Sequence, residues 1–136
     1  MAALNGLTVS LDPGVKHSID ITGSDGSAGA TVTYAVTRGY AAGRVVVTVD
    51  DAQPGTINVL LTDSESDEDY VDLDGDNSGA PRVVRLGLPM TDKTGAAIDG
   101  QYMHALFGGQ LLVLTISGGN AQVDAVTVKF DLIAAH

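Results

Sequence analysis

Alternation of apolar and polar residues with a period of two is the feature that most limits the folds open to this chain. It is clearest near the C-terminus, where Val126, Val128, Phe130 and Leu132 alternate with Thr127, Lys129 and Asp131. Successive side chains of a strand point to opposite faces, so this period predicts a strand with one buried and one wet face. The same period recurs along most of the chain and predicts an all-β protein.

Short runs of this kind are separated by turns rich in glycine, proline and aspartate. The predicted strands cover residues 7–11, 15–22, 31–37, 44–49, 56–62, 82–88, 110–117 and 121–133, with a short edge strand at 70–73. Because the last two long runs flank Gly118 and Gly119, we predict that they form a β-hairpin. A single short helix near residues 100–107, capped by Asp99, is predicted in the segment 99–109, with a strand as the alternative.

These elements predict one β-sandwich domain over residues 1–136, antiparallel and jelly-roll-like, with about eight to nine strands and an acidic loop at residues 62–80. A chain of 136 residues is the usual length of one domain. An immunoglobulin-like sandwich without cysteine or tryptophan is the nearest alternative, because the pattern does not specify strand order.

The acidic loop concentrates negative charge in the middle of the chain. Eight of the seventeen acidic residues lie between Asp63 and Asp76, and no lysine or arginine interrupts them. We interpret this segment as a solvated loop that favours solubility.

A calcium site is the alternative interpretation of this loop. Asp72, Asp74 and Asp76 occupy alternate positions, a spacing with which a curling loop converges several oxygens on a hard cation. An EF-hand is not predicted, since Asn77 stands where glycine is required and Val83 where the bidentate glutamate is required. The three aspartates therefore predict at most a weak calcium site, and no other cofactor is expected.

Composition argues against several classes of function. The chain has no cysteine, which excludes a disulfide scaffold, a thiolate zinc site and a cysteine nucleophile. A net charge of −10 and only seven scattered Lys and Arg residues argue against nucleic-acid and anionic-membrane binding. No signal-like N-terminal segment and no apolar run long enough for a transmembrane helix is present.

The residues with catalytic potential form no known motif. There is no Gly-x-Ser-x-Gly elbow and no histidine pair with zinc-ligand spacing. We expect His17 to be packed or on the surface, His104 to lie in the core or an interface, and His136 to be terminal. The protein is therefore not predicted to be an enzyme.

Three runs provide more apolar surface than the core of a small sandwich with solvated outer faces requires: residues 45–47, 102–107 and 111–114. Exposed apolar patches often mark interfaces, so they predict self-association. In the run 111–114, the residues directed to both faces of the strand are apolar. This predicts either a central strand covered on both faces or a strand that meets another subunit.

The chain as a whole, small, acidic, free of cysteine, rich in Gly, Thr and Val, and nearly all β, resembles the decoration (cement) proteins of tailed bacteriophage capsids. Several of these are jelly rolls or β-sandwiches that form dimers or trimers. The resemblance concerns the size, composition and β-strand content of the entire chain, and it assigns no functional residue.

The resemblance implies a structural virion protein that is assembled in the host cytoplasm and located on the capsid surface. It would bind the major capsid protein from outside, as a homo-oligomer, and stabilise contacts between neighbouring subunits. Two alternatives stay open: a calcium-dependent glycan- or protein-binding module with Asp72, Asp74 and Asp76 as ligands, and a tail or head-fibre component.

Overall fold

The computed structural model describes residues 4–24, 27–36, 39–104, 106–107 and 109–134. Over these residues the chain forms twelve strands and no helix, which confirms the all-β prediction with more strands than expected. The strands are β1 (Thr8–Ser10), β2 (Lys16–Ile21), β3 (Ala28–Ala35), β4 (Tyr40–Val49), β5 (Asn58–Asp63), β6 (Asp69–Asp74), β7 (Arg82–Arg85), β8 (Gly87–Thr91), β9 (Ala97–His104), β10 (Leu106–Phe107), β11 (Leu111–Gly119) and β12 (Gln122–Ala134).

Two sheets make up the sandwich, and neither closes into a barrel. Sheet A has five strands in the order β1-β3-β11-β5-β6, and it is mixed because β1 pairs with β3 in parallel. Sheet B has the order β10-β4-β12-β2 and is antiparallel. The edge of β4 that faces away from β12 pairs with β10 at one end and with β7 further along.

The core lies between the two sheets and is built from the predicted inward positions. Tyr34 of β3 and Phe130 of β12 have no exposed surface, and their rings meet edge to face at 5.0 Å. Alternate residues of β4 are buried as well, namely Val45, Val47 and Val49, so part of the apolar run 45–47 belongs to the core. Alternation therefore identified the buried faces correctly on both sheets.

The predicted hairpin between β11 and β12 is wrong. β11 lies in sheet A between β3 and β5, whereas β12 lies in sheet B between β4 and β2. The chain crosses between the sheets at Asn120, whose backbone N–H donates to the buried Gln53 Oε1 at 2.8 Å. Both long runs are central strands with partners on both edges, and the glycine pair marks a change of sheet.

The helix predicted near residues 100–107 is absent from the described residues, and the strand alternative is confirmed by β9 and β10. β9 pairs with β8 in an antiparallel hairpin in which Gly87 lies opposite His104. Gly100 has a φ of +75°, a left-handed conformation that interrupts a helix. Pairing with β8 overrides the weak helical pattern.

Residues 62–80 do not form one long loop, which corrects the prediction for the acidic segment. β5 continues to Asp63, a turn follows, and β6 returns along β5 with Val59 opposite Leu73. The predicted edge strand at 70–73 is confirmed, because β6 is the last strand of sheet A. Only residues 75–81, after β6, form an extended connection.

Candidate interaction surfaces

The outer face of sheet B gathers four of the seven lysine and arginine residues of the chain, Lys16, Arg44, Arg85 and Lys129. Lys129 of β12 lies opposite Lys16 of β2, and Arg44 of β4 lies opposite Arg85 of β7. Most inward positions of these strands are apolar, with His17 of β2 and Arg82 of β7 as exceptions, and the four cations occupy outward positions. We call this surface the cationic face.

Carboxylates accompany these cations: Asp131 lies among them, and Asp50, Asp51 and Asp124 border a further concavity together with Lys16. Asp131 Oδ2 accepts a hydrogen bond from Arg44 Nε at 2.8 Å, and Asp131 Oδ1 lies 3.4 Å from Lys129 Nζ. The bond from Arg44, helped by Lys129, holds the pKa of Asp131 below its usual range. Lys16 and Arg85 form no ion pair with any described residue.

Apolar side chains and two concavities accompany these charges. A shallow groove of about 310 Å³ runs over Val46 and Val83, between Lys16 and Arg44. A cleft of about 670 Å³ adjoins it, bordered by Arg44, Arg85 and Ile133, and Ile133 is 70% exposed. The combination of cations with exposed aliphatic groups is typical of protein-binding surfaces in which arginine is enriched.

The opposite charge lies on the outer side of sheet A. Asp69, Asp72 and Asp74 of β6 are exposed, and Val71 between them is buried in the core. The negative charge of Asp74, with a smaller contribution from Asp69, raises the pKa of Asp72. None of the three forms an ion pair with another described residue, and we call this surface the acidic edge.

The structure separates the three aspartates predicted as calcium ligands. Asp72 and Asp74 share the outer face of β6, whereas Asp76 lies beyond the strand and accepts a hydrogen bond from Arg82 Nε at 2.6 Å. Within the described parts of the chain, no group of three or more His, Asp or Glu side chains is placed to hold a metal. Calcium binding at these residues stays a prediction.

One acid of the segment is structural. Asp63 is only 6% exposed, and its Oδ1 accepts the backbone N–H of Glu65 at 2.8 Å. Its Oδ2 accepts the hydroxyl of Tyr70 at 3.2 Å, and burial together with the charge of Asp63 raises the pKa of Tyr70. Asp63 thus fixes the turn that places β6 beside β5, a role that the loop interpretation missed.

The histidines form no described catalytic arrangement. His17 points inward from β2, and its ring stacks on Tyr34 at 6.0 Å, in agreement with the packed alternative. Its Nδ1 is buried without a hydrogen-bond partner. His104 ends β9, where its side chain is not described, and His136 lies outside the described residues.

A β-hairpin projects from the edge of sheet B between β7 and β10. We call β8, β9 and their turn the hairpin arm. Every side chain from Met90 to Gln101 is exposed, and Met90 and Ile98 each expose 39% of their surface. Asp92 holds the turn, because its Oδ1 accepts the backbone N–H groups of Thr94 at 2.8 Å and Ala96 at 3.2 Å.

The apolar runs predicted for assembly are partly core. In the run 111–114, Leu112 and Leu114 are buried, and β11 is the central strand of sheet A. The predicted cover on both faces is not found among the described residues, since Leu111 on the outer face is 43% exposed. In the run 102–107, Phe107 is buried, and the side chains of residues 102–106 lie outside the description.

Comparison with known proteins adds no relative to this picture: no protein-family model, no curated protein and no solved structure matches the chain. The fold defines the class of the protein, a single-domain all-β sandwich. Among the described residues there is no helix with the length and hydropathy needed to cross a membrane.

Sequence reasoning missed the cationic face because its residues lie in four separate strands. The face of the strand on which each cation lies was predictable from the sequence, since Lys129 alternates with buried neighbours and Arg44 precedes the buried Val45. Their adjacency depends on strand order, which alternation does not encode. The cations that look scattered along the chain are therefore neighbours in space.

Proposed function

We propose that the protein is a structural component of a virus particle that binds the outside of an icosahedral capsid and stabilises contacts between major capsid subunits. The observation that supports this most is the hairpin arm on a compact sandwich. A protein that clamps neighbouring subunits needs a rigid body and an element that reaches beyond it. The sandwich supplies the body, and the arm supplies the reach.

The physical argument for a partner at the arm concerns its stability. An isolated two-stranded hairpin is marginally stable in water, because it buries little apolar surface. Here Met90 and Ile98 remain exposed, and no described element covers the tip. Contact with a shell protein would bury these side chains and order the arm.

Repetition of the shell strengthens such a contact. A capsid presents the same surface many times, and a homo-oligomer attached at several points gains effective concentration without new chemistry. A modest interface for each arm is therefore sufficient. Stabilisation would come from buried area rather than from a catalytic step.

Co-sedimentation tests this function with empty shells assembled from the major capsid protein of the virus to which this chain is proposed to belong. We expect the wild-type protein to sediment with the shells and to raise their melting temperature. The double variant Met90→Glu and Ile98→Glu should stay in the supernatant, whereas the control Lys93→Ala, at an exposed position of the same arm, should sediment. Wild-type protein that never sediments would refute the proposal.

The calcium-dependent binding module remains the second candidate. It is supported by the concentrated charge of Asp72 and Asp74, whose repulsion a cation would relieve. It requires calcium to displace Arg82 from Asp76. Calcium titration distinguishes this candidate from the structural one.

A further inference from the structure

Surfaces of opposite charge lie on opposite sheets of the same molecule. The cationic face is on the outer side of sheet B, and the acidic edge is on the outer side of sheet A. We infer that the cationic face of one copy of this chain binds the acidic edge of a second copy. This inference is independent of the proposed capsid function.

The acidic edge lacks compensation within the monomer. Asp69, Asp72 and Asp74 lie close enough for their charges to raise the pKa of Asp72, and no described cation pairs with them. Such mutual repulsion opposes folding and disappears when an opposite charge approaches. A cationic partner surface therefore gains energy here that an apolar surface would not.

The groove of the cationic face has the matching charge, because Lys16, Arg44 and Lys129 line it and no described carboxylate does. Asp50, Asp51 and Asp124 lie beyond it. Lys16 and Arg85 are unpaired among the described residues, and Lys129 shares Asp131 with Arg44. Three or more donors are therefore available to incoming carboxylates. The groove over Val46 and Val83 also offers apolar surface at the centre of the contact.

The spacings of the two surfaces differ by only about 1–2 Å, a difference that long, flexible lysine side chains can span. Alternate residues on one strand, such as Asp72 and Asp74, are about 6.8 Å apart, and opposite residues on neighbouring strands are about 4.5–5.5 Å apart. Lys16 and Lys129 form such an opposite pair. Because β6 is an edge strand, its outer side can approach a partner without obstruction by a further strand of sheet A.

The contact is head to tail. Since the two surfaces face away from each other, a copy uses its cationic face for one neighbour and its acidic edge for another. Such heterologous contacts produce closed rings or open chains, and not a reciprocal two-fold dimer. Of the dimer and trimer expected from the sequence, this geometry favours the trimer or a larger ring.

A second copy fits the cationic face better than a nucleic acid does. The net charge of −10 repels an extended polyanion, whose binding depends on many phosphate contacts. Asp131 lies within the face, and no aromatic side chain is described there to stack on bases. The complementary surface is, in contrast, present on every copy of the chain.

Sedimentation equilibrium of charge-reversed variants tests the inference. Wild-type protein should associate at low salt and dissociate toward monomer at about 0.5 M salt, where charges are screened within a few ångströms. Lys16→Glu with Lys129→Glu should raise the dissociation constant by about tenfold or more, and Asp72→Lys with Asp74→Lys should do the same.

Net charge separates local from global effects in this design. The aspartate reversals bring the net charge closer to zero, so they would strengthen association if only overall repulsion mattered. The variant with all four reversals has the net charge of the wild type and exchanged surfaces, and it should associate again. Lys93→Glu, on the hairpin arm, should associate like the wild type.

Several outcomes would overturn the inference. These are a wild-type protein that is monomeric at every concentration, association that survives both reversals, and a folded fourfold variant that remains monomeric. Loss of association after nuclease treatment would assign the cationic face to nucleic acid instead. Circular dichroism of each variant confirms that the exposed substitutions leave the fold intact.

Discussion

At the scale of the residue, Tyr34 has a hydroxyl group buried in the core without a described hydrogen-bond partner. An unpaired buried hydroxyl costs about 1–3 kcal/mol relative to its hydrated state. We therefore expect Tyr34→Phe to leave the free energy of unfolding unchanged or to raise it by about 1 kcal/mol. Urea denaturation measures this, with Tyr40→Phe, at a partly exposed tyrosine, as the matched control. A loss of stability at Tyr34 would reveal a hydrogen bond to an ordered water.

The same hydroxyl predicts how stability depends on alkaline pH. Burial raises the pKa of Tyr34 from 10.0 to about 12. Below pH 10 the phenol is protonated in both states, but between these two values only the unfolded chain releases the proton. Stability should therefore fall as pH rises through this window, by up to roughly 2–3 kcal/mol. Tyr34→Phe should reduce the slope in denaturation measured from pH 9 upward, with a residual slope from Tyr70.

Gln53 is the residue that joins the two sheets at their crossing. It is 2% exposed, donates to Asn120 O at 2.9 Å and to Gln122 Oε1 at 2.6 Å, and accepts the Asn120 N–H. Gln53→Leu keeps the volume but leaves these groups unpaired, so we expect a loss of about 2 kcal/mol or more. Chemical denaturation measures the loss, and Gln101→Leu, at an exposed position, should change stability far less. Equal effects at both sites would show that the network contributes little.

At the scale of the element, the crossing from β11 to β12 depends on Gly118. Its φ is +69°, and a methyl group there would run into the carbonyl oxygen of Thr56. Gly118→Ala should therefore cost at least about 2 kcal/mol, through strain and displacement of the neighbouring backbone. Gly55→Ala is the control, because open space surrounds that position. The melting temperatures of the two variants measure this difference. A Gly118→Ala variant as stable as the wild type would contradict the described geometry of the crossing.

Within the molecule, we expect β11 to be among the most stably ordered elements and the hairpin arm to be among the least. β11 has a strand on each side and a buried face, whereas every described side chain of the arm from Met90 to Gln101 is exposed. Amide hydrogens of β8 and β9 should consequently exchange orders of magnitude faster than those of β11. Hydrogen exchange of dilute protein, resolved by peptide, measures this ratio. Arm protection equal to that of β11 would mean that a second surface covers the arm.

Strand positions were predictable because alternation is a local property. The buried residues Val32, Tyr34, Val47 and Val128 all lie where parity places them. Pairing was not predictable, since β1 joins β3 in parallel and β11 separates from β12 although both patterns fit a hairpin. Local sequence determines which face of a strand is apolar, but contacts distant in sequence determine its neighbours.

At the scale of the whole molecule, residues that are distant along the chain are brought together into charged surfaces that the sequence alone does not reveal. Arg44 and Arg85 are far apart in the chain and opposite each other in sheet B. Asp63 belongs to the acidic segment in sequence but to a buried turn in space. The cationic face could therefore not be predicted without the strand order. The acidic edge was predictable in part, because its aspartates are close together along one strand.

Calcium titration examines the acidic edge as part of the whole molecule. Asp76 is held by Arg82, and Asp72 and Asp74 alone offer too few oxygens for a cation that takes six to eight ligands. We therefore expect millimolar calcium to raise the melting temperature no more than magnesium does at equal ionic strength, because both ions only screen the repulsion.

A calcium-specific rise would contradict this expectation and establish the site instead. It should then disappear in Asp74→Asn and persist in the control Asp51→Asn, an exposed aspartate outside the acidic edge. Ionic strength has to be matched throughout, since the net charge of −10 makes melting sensitive to any salt. Measurement at a concentration where the protein is monomeric keeps binding at the acidic edge separate from association through the cationic face, because both processes would use Asp72 and Asp74.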